Sequence, residues 1–328
     1  MKYITSIIVS LSLVLVASIA SADERKIDAL ISQMTIEEKV GQMTQINVDL
    51  LLKVKDKNKS IYSFNQNALH KAFNIYKVGS ILNTPANGST SQEKWIKLIV
   101  DLQQLAMKTR LQIPILYGVD SIHGTNYADE GTIFPHNIGI AASRNIALAA
   151  VSARITALET RALGVRWNFD PVFDLGRNPL WSRFPETFGE DPYLTTEMGM
   201  ANLEAYQGDD MSRPDRVAAT AKHFYGYGDP RSGKDRTASY IPESELQNLH
   251  LPPFEAAIRR GGIASIMINS GSLNRIPVHA DKALLTGLIR DEWGYDGVIV
   301  SDWEDIIRLH TRHFIAENER EATRMGVE

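Results

Sequence analysis

Mainly apolar runs alternate with segments of helical periodicity along most of the chain. Runs of this kind are typical of buried strands, and they predict strands over 78–82, 113–119, 165–169, 217–221, 263–268 and 298–300. Between them, apolar positions three and four residues apart predict helices over 91–106, 147–163, 253–260 and 283–293. Strands that alternate with helices indicate a parallel sheet covered on both faces. No Ser/Gly/Pro-rich linker interrupts the pattern, so residues 23–328 are predicted to form one domain.

Three helix starts carry local signals. Thr35 and Glu38 have the spacing of a capping box, in which each side chain bonds the backbone of the other residue. Ser91 stands where it could cap a helix whose apolar residues share one face, namely Trp95, Leu98, Ile99, Leu102, Leu105 and Ala106. Asp191 before Pro192 predicts the start of a further helix.

Strand after strand ends in a polar or charged residue. The residues at these ends are Asp120, Asp170, Lys222 with His223, Asn269 and Asp302. In a parallel α/β barrel all such ends gather at one mouth, where catalytic residues sit. An open doubly wound sheet would collect its ligand at a single switch point instead. Neither a Gly-x-Gly-x-x-Gly motif nor a Walker-type loop is present, so nucleotide binding is not indicated and the barrel is favoured.

Asp302 follows the last of these strands and precedes Trp303. A carboxylate at a strand end is held rigidly, and an aromatic face beside it suits the C–H surface of a sugar ring. The alternative is that Asp302 caps the helix predicted to start at Asp305 or Ile306. The local pattern alone leaves both interpretations open.

Lys222 and His223 place a cation and an imidazole side by side at another strand end. Neighbouring residues on a regular strand point to opposite faces, so both can meet one ligand only if the backbone turns there. The glycines that follow permit such a turn. The alternative is a satisfied core histidine beside a salt-bridged lysine at the rim.

Two further segments offer candidate residues. Asp120 ends one strand, and His123 follows three residues later. Both side chains could bind a ligand, or they could only hydrogen-bond backbone groups of the turn. The segment 168–191 is too long and too rich in aromatic and charged residues for a simple connection, and its Arg183 could clamp a carboxylate or sugar hydroxyls. A metal site at His310 and His313 is disfavoured because no third ligand accompanies them.

Composition narrows the classes of function. The 328 residues carry a formal charge of −4 and no cysteine, which excludes disulfides, thiolate metal sites and a thiol nucleophile. No basic stripe is present, so nucleic acid is not an expected partner. Lys2, the apolar run 7–17 and the small residues 20–22 predict a secretory signal peptide over 1–22, and hence a periplasmic or secreted protein. The alternative, an uncleaved membrane anchor, needs a longer apolar run, and no membrane span is expected after cleavage.

Four motifs, taken together and in this order, resemble glycoside hydrolase family 3. They are Gly118-Val119-Asp120-Ser121-Ile122-His123-Gly124, the stretch from Asn178 to Pro192, Lys222-His223-Phe224 and Ser301-Asp302-Trp303. The chain is similar to the N-terminal barrel of a bacterial exported β-glucosidase from about Lys26 to its last residue. The resemblance implies a (β/α)8 TIM-type barrel and an enzyme that needs neither cofactor nor metal.

Residue roles follow from the same resemblance. It implies that Asp302 is the nucleophile that forms a covalent glycosyl-enzyme intermediate. It further implies that the terminal sugar of a β-linked glucoside or oligosaccharide is bound by Asp120, Arg183, Lys222, His223, Met267, Ser270 and Trp303. Family members often carry an aromatic residue at the position of Ser270, and Arg and Gly are frequent at the positions of Leu180 and Ser182.

The second catalytic carboxyl group is not found by the resemblance. Two-domain members supply it as a Glu from a second domain, and single-domain members use an Asp-His pair in the loop after Lys-His-Phe, where residues 228–237 contain no histidine. The family also implies one more strand after a helix over 308–325. The chain is therefore expected to lack the last barrel strand and a second α/β domain, and to hydrolyse little substrate alone.

Several functions stay open at this point. The preferred hypothesis is a retaining β-glucosidase that removes terminal non-reducing β-D-glucosyl residues. A β-xylosidase or exo-glucanase of the same family is the nearest alternative. A non-catalytic carbohydrate-binding fragment, or a metal-dependent barrel hydrolase, are alternatives from other classes.

Overall fold

The computed structural model describes residues 24–56 and 61–328. The predicted signal peptide, residues 1–22, lies outside these ranges. A helical segment over 24–33 is followed by the helix Ile36–Gln42. Its capping box is formed as predicted: Glu38 N–H donates to Thr35 Oγ1 at 3.2 Å, and Thr35 N–H donates to Glu38 Oε2 at 2.9 Å.

Seven strands form one parallel sheet that follows the order of the chain. They are β1 (Gln45–Asn47), β4 (Ser80–Leu82), β5 (Leu116–Val119), β6 (Trp167–Asn168), β7 (Thr220–Phe224), β8 (Ser265–Ile268) and β11 (Val298–Val300). Pairing runs β1-β4-β5-β6 and β7-β8-β11, and bridges from Trp167 to Ala218 and from Val172 to Lys222 join the two halves. This is the parallel barrel architecture that the sequence predicts. Within the described ranges β11 and β1 are not paired with each other.

Two short hairpins accompany the barrel. β2 (Leu52–Asp56) pairs with β3 (Ile61–Phe64), and β9 (Ser272–Leu273) pairs with β10 (Ile276–Pro277), both antiparallel. The second hairpin follows β8 directly, and Ser239, from the loop after β7, forms a bridge with Leu273. The loops after β7 and β8 are thereby tied together beside the barrel mouth.

Helices cover the outside of the sheet. The longer ones are Gln92–Ala106, Ile146–Ala162, Pro192–Gln207, Leu251–Arg259, Ala283–Glu292 and Glu319–Val327. Shorter ones are Gln66–His70, Asn137–Ala142, Glu243–Glu245 and Asp305–Thr311, with single turns at Val48–Leu51, Lys71–Ile75, Pro85–Asn87, Phe184–Glu186, Leu246–His250 and Val278–Ala280. Asp191 caps Pro192–Gln207 as predicted, since its side chain accepts from Tyr193 N–H.

Two details of the sequence interpretation are wrong. The single helix expected over 308–325 is two helices, Asp305–Thr311 and Glu319–Val327. Between them Phe314 has a left-handed φ of 53°, which a continuous right-handed helix cannot include. Ser91 does not cap through its side chain; the Gln92 N–H donates instead to Glu130 Oε2 at 3.0 Å.

The inside of the barrel is filled by large side chains. Trp167, Phe169 and Met267 form one buried cluster, against which Leu82 and Val300 pack. Trp167 Nε1 donates to Thr220 Oγ1 and Ser265 Oγ at 2.9 and 2.8 Å, so its polar edge is satisfied. This packed centre leaves the mouth at the carboxyl ends of the strands as the place for a ligand.

Candidate active site

The structure brings most of the predicted site residues together at the barrel mouth. Asp302 follows β11 and Ser270 follows β8. Lys222 and His223 lie on β7 itself, and Asp120 follows β5. Arg183 reaches the same mouth from the long loop after β6, which is more than a connection, as its length indicates.

Asp302 is the most heavily engaged carboxylate of the group. Its Oδ2 accepts from Ser270 Oγ at 2.8 Å and its Oδ1 from Arg236 Nη2 at 3.0 Å, while the Trp303 N–H also donates to Oδ1. Arg183 Nη1 and His223 Nε2 each lie 3.7 Å from Oδ2. Burial favours the neutral acid, but the guanidinium charges of Arg236 and Arg183 outweigh it and hold the pKa of Asp302 well below its ordinary value.

The alternative role of Asp302 as a helix cap does not match this geometry. The helix Asp305–Thr311 has Glu304 at its N-cap, in a left-handed conformation with φ of 57°, and no side chain caps it. Asp302 contributes only its backbone carbonyl to the Asp305 N–H, at 3.2 Å. Its carboxylate instead contacts Ser270 and Arg236 at the mouth.

A β-bulge explains how Lys222 and His223 both serve the mouth. The pairing of β7 with β8 shifts register between Lys222 and Phe224, so neighbouring residues escape the strict alternation of a strand. Lys222 Nζ donates to Asp120 Oδ1 at 2.6 Å. The lysine side chain is 1% exposed and that of Asp120 is 35% exposed, so the pair has one buried and one open end.

His223 is positioned by a residue that the sequence did not reveal. Asp174 Oδ2 lies 2.7 Å from His223 Nδ1 and accepts from the His223 backbone N–H at 3.0 Å. Burial raises the pKa of Asp174 to about 8 and lowers the pKa of His223. Asp174 Oδ1 is buried without a hydrogen-bond partner among the described residues, which also favours the neutral acid. The neutral pair leaves His223 Nε2 directed at Asp302.

Arg183 is held in place by its own loop. Its Nε and Nη2 donate to the two carboxylate oxygens of Glu186 at 3.0 and 2.8 Å. Its guanidinium carbon lies 5.8 Å from the ring centroid of Tyr227. Such a two-point pair fixes the plane of the guanidinium, so the remaining nitrogen is presented to Asp302 in one orientation.

Arg236 is the second residue that sequence reasoning missed. It comes from the loop after β7, where its own φ is 59°, and its Nη1 donates to Ser270 Oγ at 2.8 Å. The neighbouring Asp235 accepts from Tyr227 Oη and Trp181 Nε1 at 2.6 and 2.9 Å, which anchors this loop. The cluster of charge at 234–236 inside a long loop was the available signal.

Asp305, the first residue of the helix Asp305–Thr311, contacts Arg236. It is 1% exposed and accepts from Arg308 Nη1 at 3.0 Å and Arg236 Nη1 at 3.4 Å. Burial, and then the charge of Asp302, raise its pKa to about 6. Because Asp305 is almost fully buried, it holds Arg236 and Arg308 in place and does not contact a ligand directly.

The other predicted residues have varied positions. Met267 is 8% exposed within the interior cluster, and Trp303 is 38% exposed beside Asp302. Asp170 and Asn269, also at strand ends, have structural partners: Tyr206 Oη donates to Asp170 at 2.7 Å, and Asn269 Nδ2 donates to Tyr225 O at 2.9 Å. His123 Nδ1 lies 3.2 Å from the backbone carbonyl of Phe134, eleven residues further along the chain. Nowhere in residues 24–56 and 61–328 do three metal-ligating side chains form a group.

The profile of the family described as "Glycosyl hydrolase family 3 N terminal domain" matches residues 35–328. The chain belongs to glycosyl hydrolase family 3. It is 41% identical over 92% of its length to "Lysosomal beta glucosidase" of Dictyostelium discoideum, of which it covers 38%. It is 33% identical over 93% of its length to "Beta-xylosidase" of Formosa agariphila, of which it covers 35%. It is 30% identical over its full length to "Periplasmic beta-glucosidase" of Salmonella typhimurium, covering 41% of it.

A solved structure agrees with the fold. The β-glucosidase from Listeria innocua in complex with glucose superimposes with a TM-score of 0.78 at 31% identity, over 92% of this chain and 40% of that one. The chain thus spans about two fifths of the length of each of these relatives. Across residues 24–56 and 61–328, no helix has the length and apolar character needed to cross a membrane.

Proposed function

We propose that this chain is the barrel portion of a retaining glycosidase that removes terminal β-D-glucosyl residues, with Asp302 as the nucleophile. The single observation that carries the proposal is the state of Asp302. It is a carboxylate at the carboxyl end of a barrel strand, kept ionised by Arg236 and Arg183 and oriented by Ser270. An ionised, oriented carboxylate is what nucleophilic attack on a sugar requires.

The proposed reaction proceeds in two displacements. A carboxylate oxygen of Asp302 attacks the anomeric carbon, a bond to Asp302 forms, and the bond to the leaving-group oxygen breaks as that oxygen takes a proton from an acid. Water then gives a proton back to the same group and displaces Asp302, so the configuration at the anomeric carbon is retained. No cofactor or metal enters either step.

The glycone is proposed to lie over the Asp120–Lys222 pair, with His223, Arg183, Met267, Ser270 and Trp303 around it. A neutral sugar is recognised by several convergent polar groups at a rigid mouth. The exposed end of the pair, Asp120, offers an acceptor to sugar hydroxyls, and Lys222 is oriented by its bond to Asp120. The glucose complex of the Listeria innocua relative supports a glucosyl unit as the ligand.

We assign the acid/base to a carboxyl group beyond Glu328. The carboxyl groups close to Asp302 in the described ranges already hold cations: Glu186 binds Arg183 in two-point fashion and Asp305 binds Arg308. A retaining enzyme needs its second carboxyl about 5–5.5 Å from the nucleophile and free to protonate the leaving group. Relatives of more than twice this length are consistent with a second catalytic part, the partner of this barrel.

Two further points belong to the same proposal. A β-xylosidase is the second candidate, because xylose differs from glucose only in lacking the hydroxymethyl group and one relative is named for that activity. We also propose export to the periplasm or the medium, on the pattern of residues 1–22 and on a relative named as periplasmic.

Covalent trapping tests the proposal without a second carboxyl group. A 2-deoxy-2-fluoro-β-glucoside with a dinitrophenolate leaving group needs no protonation to depart, so the chain should gain one fluoroglucosyl mass. Peptide mapping should place that mass on Asp302. Asp302→Asn should abolish labelling, and Asp291→Asn, which removes an exposed carboxylate on a neighbouring helix, should leave it unchanged. Reversible binding without an adduct would favour a carbohydrate-binding module, and labelling that depends on a chelatable metal would favour a metal hydrolase.

A further inference from the structure

One buried carboxyl group beside the mouth has an unusual set of partners. Asp174 comes from the chain after β6, where Val172 forms a bridge with Lys222 and so brings Asp174 alongside His223. The Asp174 side chain is fully buried, and that of His223 is 1% exposed. Asp174 Oδ2 lies 2.7 Å from His223 Nδ1 and also accepts from the His223 backbone N–H at 3.0 Å. Asp174 Oδ1 has no hydrogen-bond partner among the described residues.

The opposite edge of the His223 ring faces the nucleophile. His223 Nε2 lies 3.7 Å from Asp302 Oδ2. The ring of Tyr227 packs edge-on against the imidazole, with the two centroids 5.0 Å apart, so the imidazole is held in one plane. Each ring nitrogen therefore faces a carboxyl group, and the position of the ring proton determines which nitrogen donates and which accepts.

Charged forms of the Asp174–His223 pair conflict with their surroundings. An ionised Asp174 would leave Oδ1 buried and unpartnered on a charged group, and burial raises the pKa of Asp174 to about 8. A doubly protonated His223 would be a buried cation; burial, and then the charge of Arg183, lower its pKa. Both groups are therefore neutral, with one proton on the carboxyl group and one on the ring.

The neutral pair has two possible forms. If Nδ1 of His223 carried the ring proton, it would donate to Asp174 Oδ2, and the carboxyl proton would lie on Oδ1, where the described residues offer no acceptor. The lone pair of Nε2 would then face Asp302 Oδ2, another acceptor. If Asp174 Oδ2 carries the proton, it donates to Nδ1 and still accepts from the backbone N–H. Nε2–H then points at Asp302, and only a carbonyl oxygen stays unpartnered, which proteins tolerate better than an unpartnered donor.

We propose that Asp174 is a positioning residue whose Oδ2–H donates a hydrogen bond to His223 Nδ1 and thereby fixes the tautomer in which His223 Nε2–H is a donor at the mouth. The role of that donor in sugar binding rests on the proposed function. A sugar hydroxyl has one proton to give, and the carboxylates of Asp302 and Asp120 accept such protons. A hydroxyl that donates to one of them needs a donor for its lone pairs, and Nε2–H supplies it.

Nitrogen NMR of the full chain labelled with 15N-histidine reads the tautomer directly. The His223 signals are identified by their loss in His223→Gln. At pH 6 the wild type should show Nε2 as the protonated nitrogen and Nδ1 as the unprotonated nitrogen of a neutral ring. A protonated Nδ1, or a doubly protonated ring, would overturn the inference. This measurement does not require the chain to bind a glucoside.

Asp174→Asn reverses the hydrogen bond while the size of the side chain is kept. The amide oxygen can accept both from the His223 backbone N–H and from Nδ1–H, whereas an NH2 group in that place would face the backbone donor. The variant should therefore convert His223 to the Nδ1–H tautomer. Asp209→Asn, which removes an exposed carboxylate, should keep the wild-type tautomer. An Nε2–H tautomer that persists in Asp174→Asn would overturn the inference, and the wild-type spectrum tests it even if this variant does not fold.

Binding and labelling experiments separate sugar binding from chemistry. Methyl 1-thio-β-D-glucoside keeps every ring hydroxyl and resists hydrolysis, and its dissociation constant, measured by calorimetric titration, should rise about tenfold in Asp174→Asn because a hydroxyl loses its donor. The maximal rate of labelling by saturating fluoroglucoside should stay within about twofold, because Arg236 and Arg183 still keep Asp302 ionised.

The two readouts have distinct failures. A slower maximal labelling rate with unchanged affinity for the thioglucoside would overturn the role of Nε2–H in sugar binding. A wild-type chain that neither binds the thioglucoside nor is labelled would instead contradict the proposed function, and the NMR spectra would still test whether Asp174 sets the tautomer of His223.

Discussion

Strand β7 lies inside the sheet, and strand β11 lies at its edge. All five residues of β7 are buried, with β8 on one side and the bridge to Val172 on the other. In β11, Val298 is 50% exposed and the two following residues are half-buried. Yet both strands lead into the same mouth, β7 with Lys222 and His223 and β11 with Asp302.

The difference in burial is matched by a difference in electrostatics. Next to β7, burial is the largest cause of the shifts: it lowers the pKa of His223 and raises that of Asp174 to about 8. After β11, the charges of surrounding residues outweigh burial and keep Asp302 ionised. A buried strand can hold a neutral positioning pair, whereas the carboxylate after an edge strand depends on cations from other loops.

The burial contrast itself can be tested with two valines. Val217, which leads into β7, is fully buried, and Val298 of β11 is half-exposed. Val217→Ala should lower the free energy of unfolding by about 2–3 kcal/mol, because a buried branched side chain is lost. Val298→Ala should cost less than about 1 kcal/mol, because the residue is already partly in water. Urea unfolding measures both, and equal losses would show that β11 is as buried as β7.

The sequence predicts the parallel sheet and the residues at its mouth, but not the residues that set the charge and orientation of Asp302 and His223. Apolar runs and their polar ends predict the strands and bring Asp302, Lys222 and Asp120 to one place, because parallel strands share one carboxyl edge. The roles of Asp174 and Arg236 could not be predicted in this way. Each depends on a contact with a residue far away in the sequence: Asp174 with His223, and Arg236 with Asp302. The alternation of a regular strand would also point Lys222 and His223 to opposite faces. The bulge in β7 removes this restriction.

The dependence of Asp302 on loop cations predicts a defined effect of Arg236→Gln. The variant removes one of the charges that hold the pKa of Asp302 down, while Arg183 remains. The rate of labelling by the fluoroglucoside at pH 7 should fall about tenfold, since a carboxylate that Arg236 no longer orients is mispositioned for attack. The acid limb of the pH–rate profile should move to higher pH, because the nucleophile is then protonated more readily.

Arg308→Gln is the matched control for that prediction. Arg308 binds Asp305 at 3.0 Å and has no ion pair with Asp302, so its loss should leave the acid limb where it was. If Arg236→Gln kept both the labelling rate and the acid limb of the wild type, the ionisation of Asp302 would not depend on this loop. The contrast between β7 and β11 would then rest on burial alone.

A further test concerns Asp174 and the pH dependence of stability. Its pKa is raised to about 8 in the folded chain and is near 4 when unfolded, so between these values the folded state binds more protons than the unfolded state. Stability from this group is therefore present at low pH and is lost as the pH rises towards 8. Asp174→Asn cannot titrate, and the free energy of unfolding should fall less steeply between pH 5 and pH 8 than in the wild type.

Urea unfolding across that pH range measures this slope. Asp296→Asn, which removes an exposed carboxylate, is the control that should keep the wild-type slope. An unchanged slope in Asp174→Asn would mean that the carboxyl beside His223 is ionised, and that the two strands hold their charged groups in the same way.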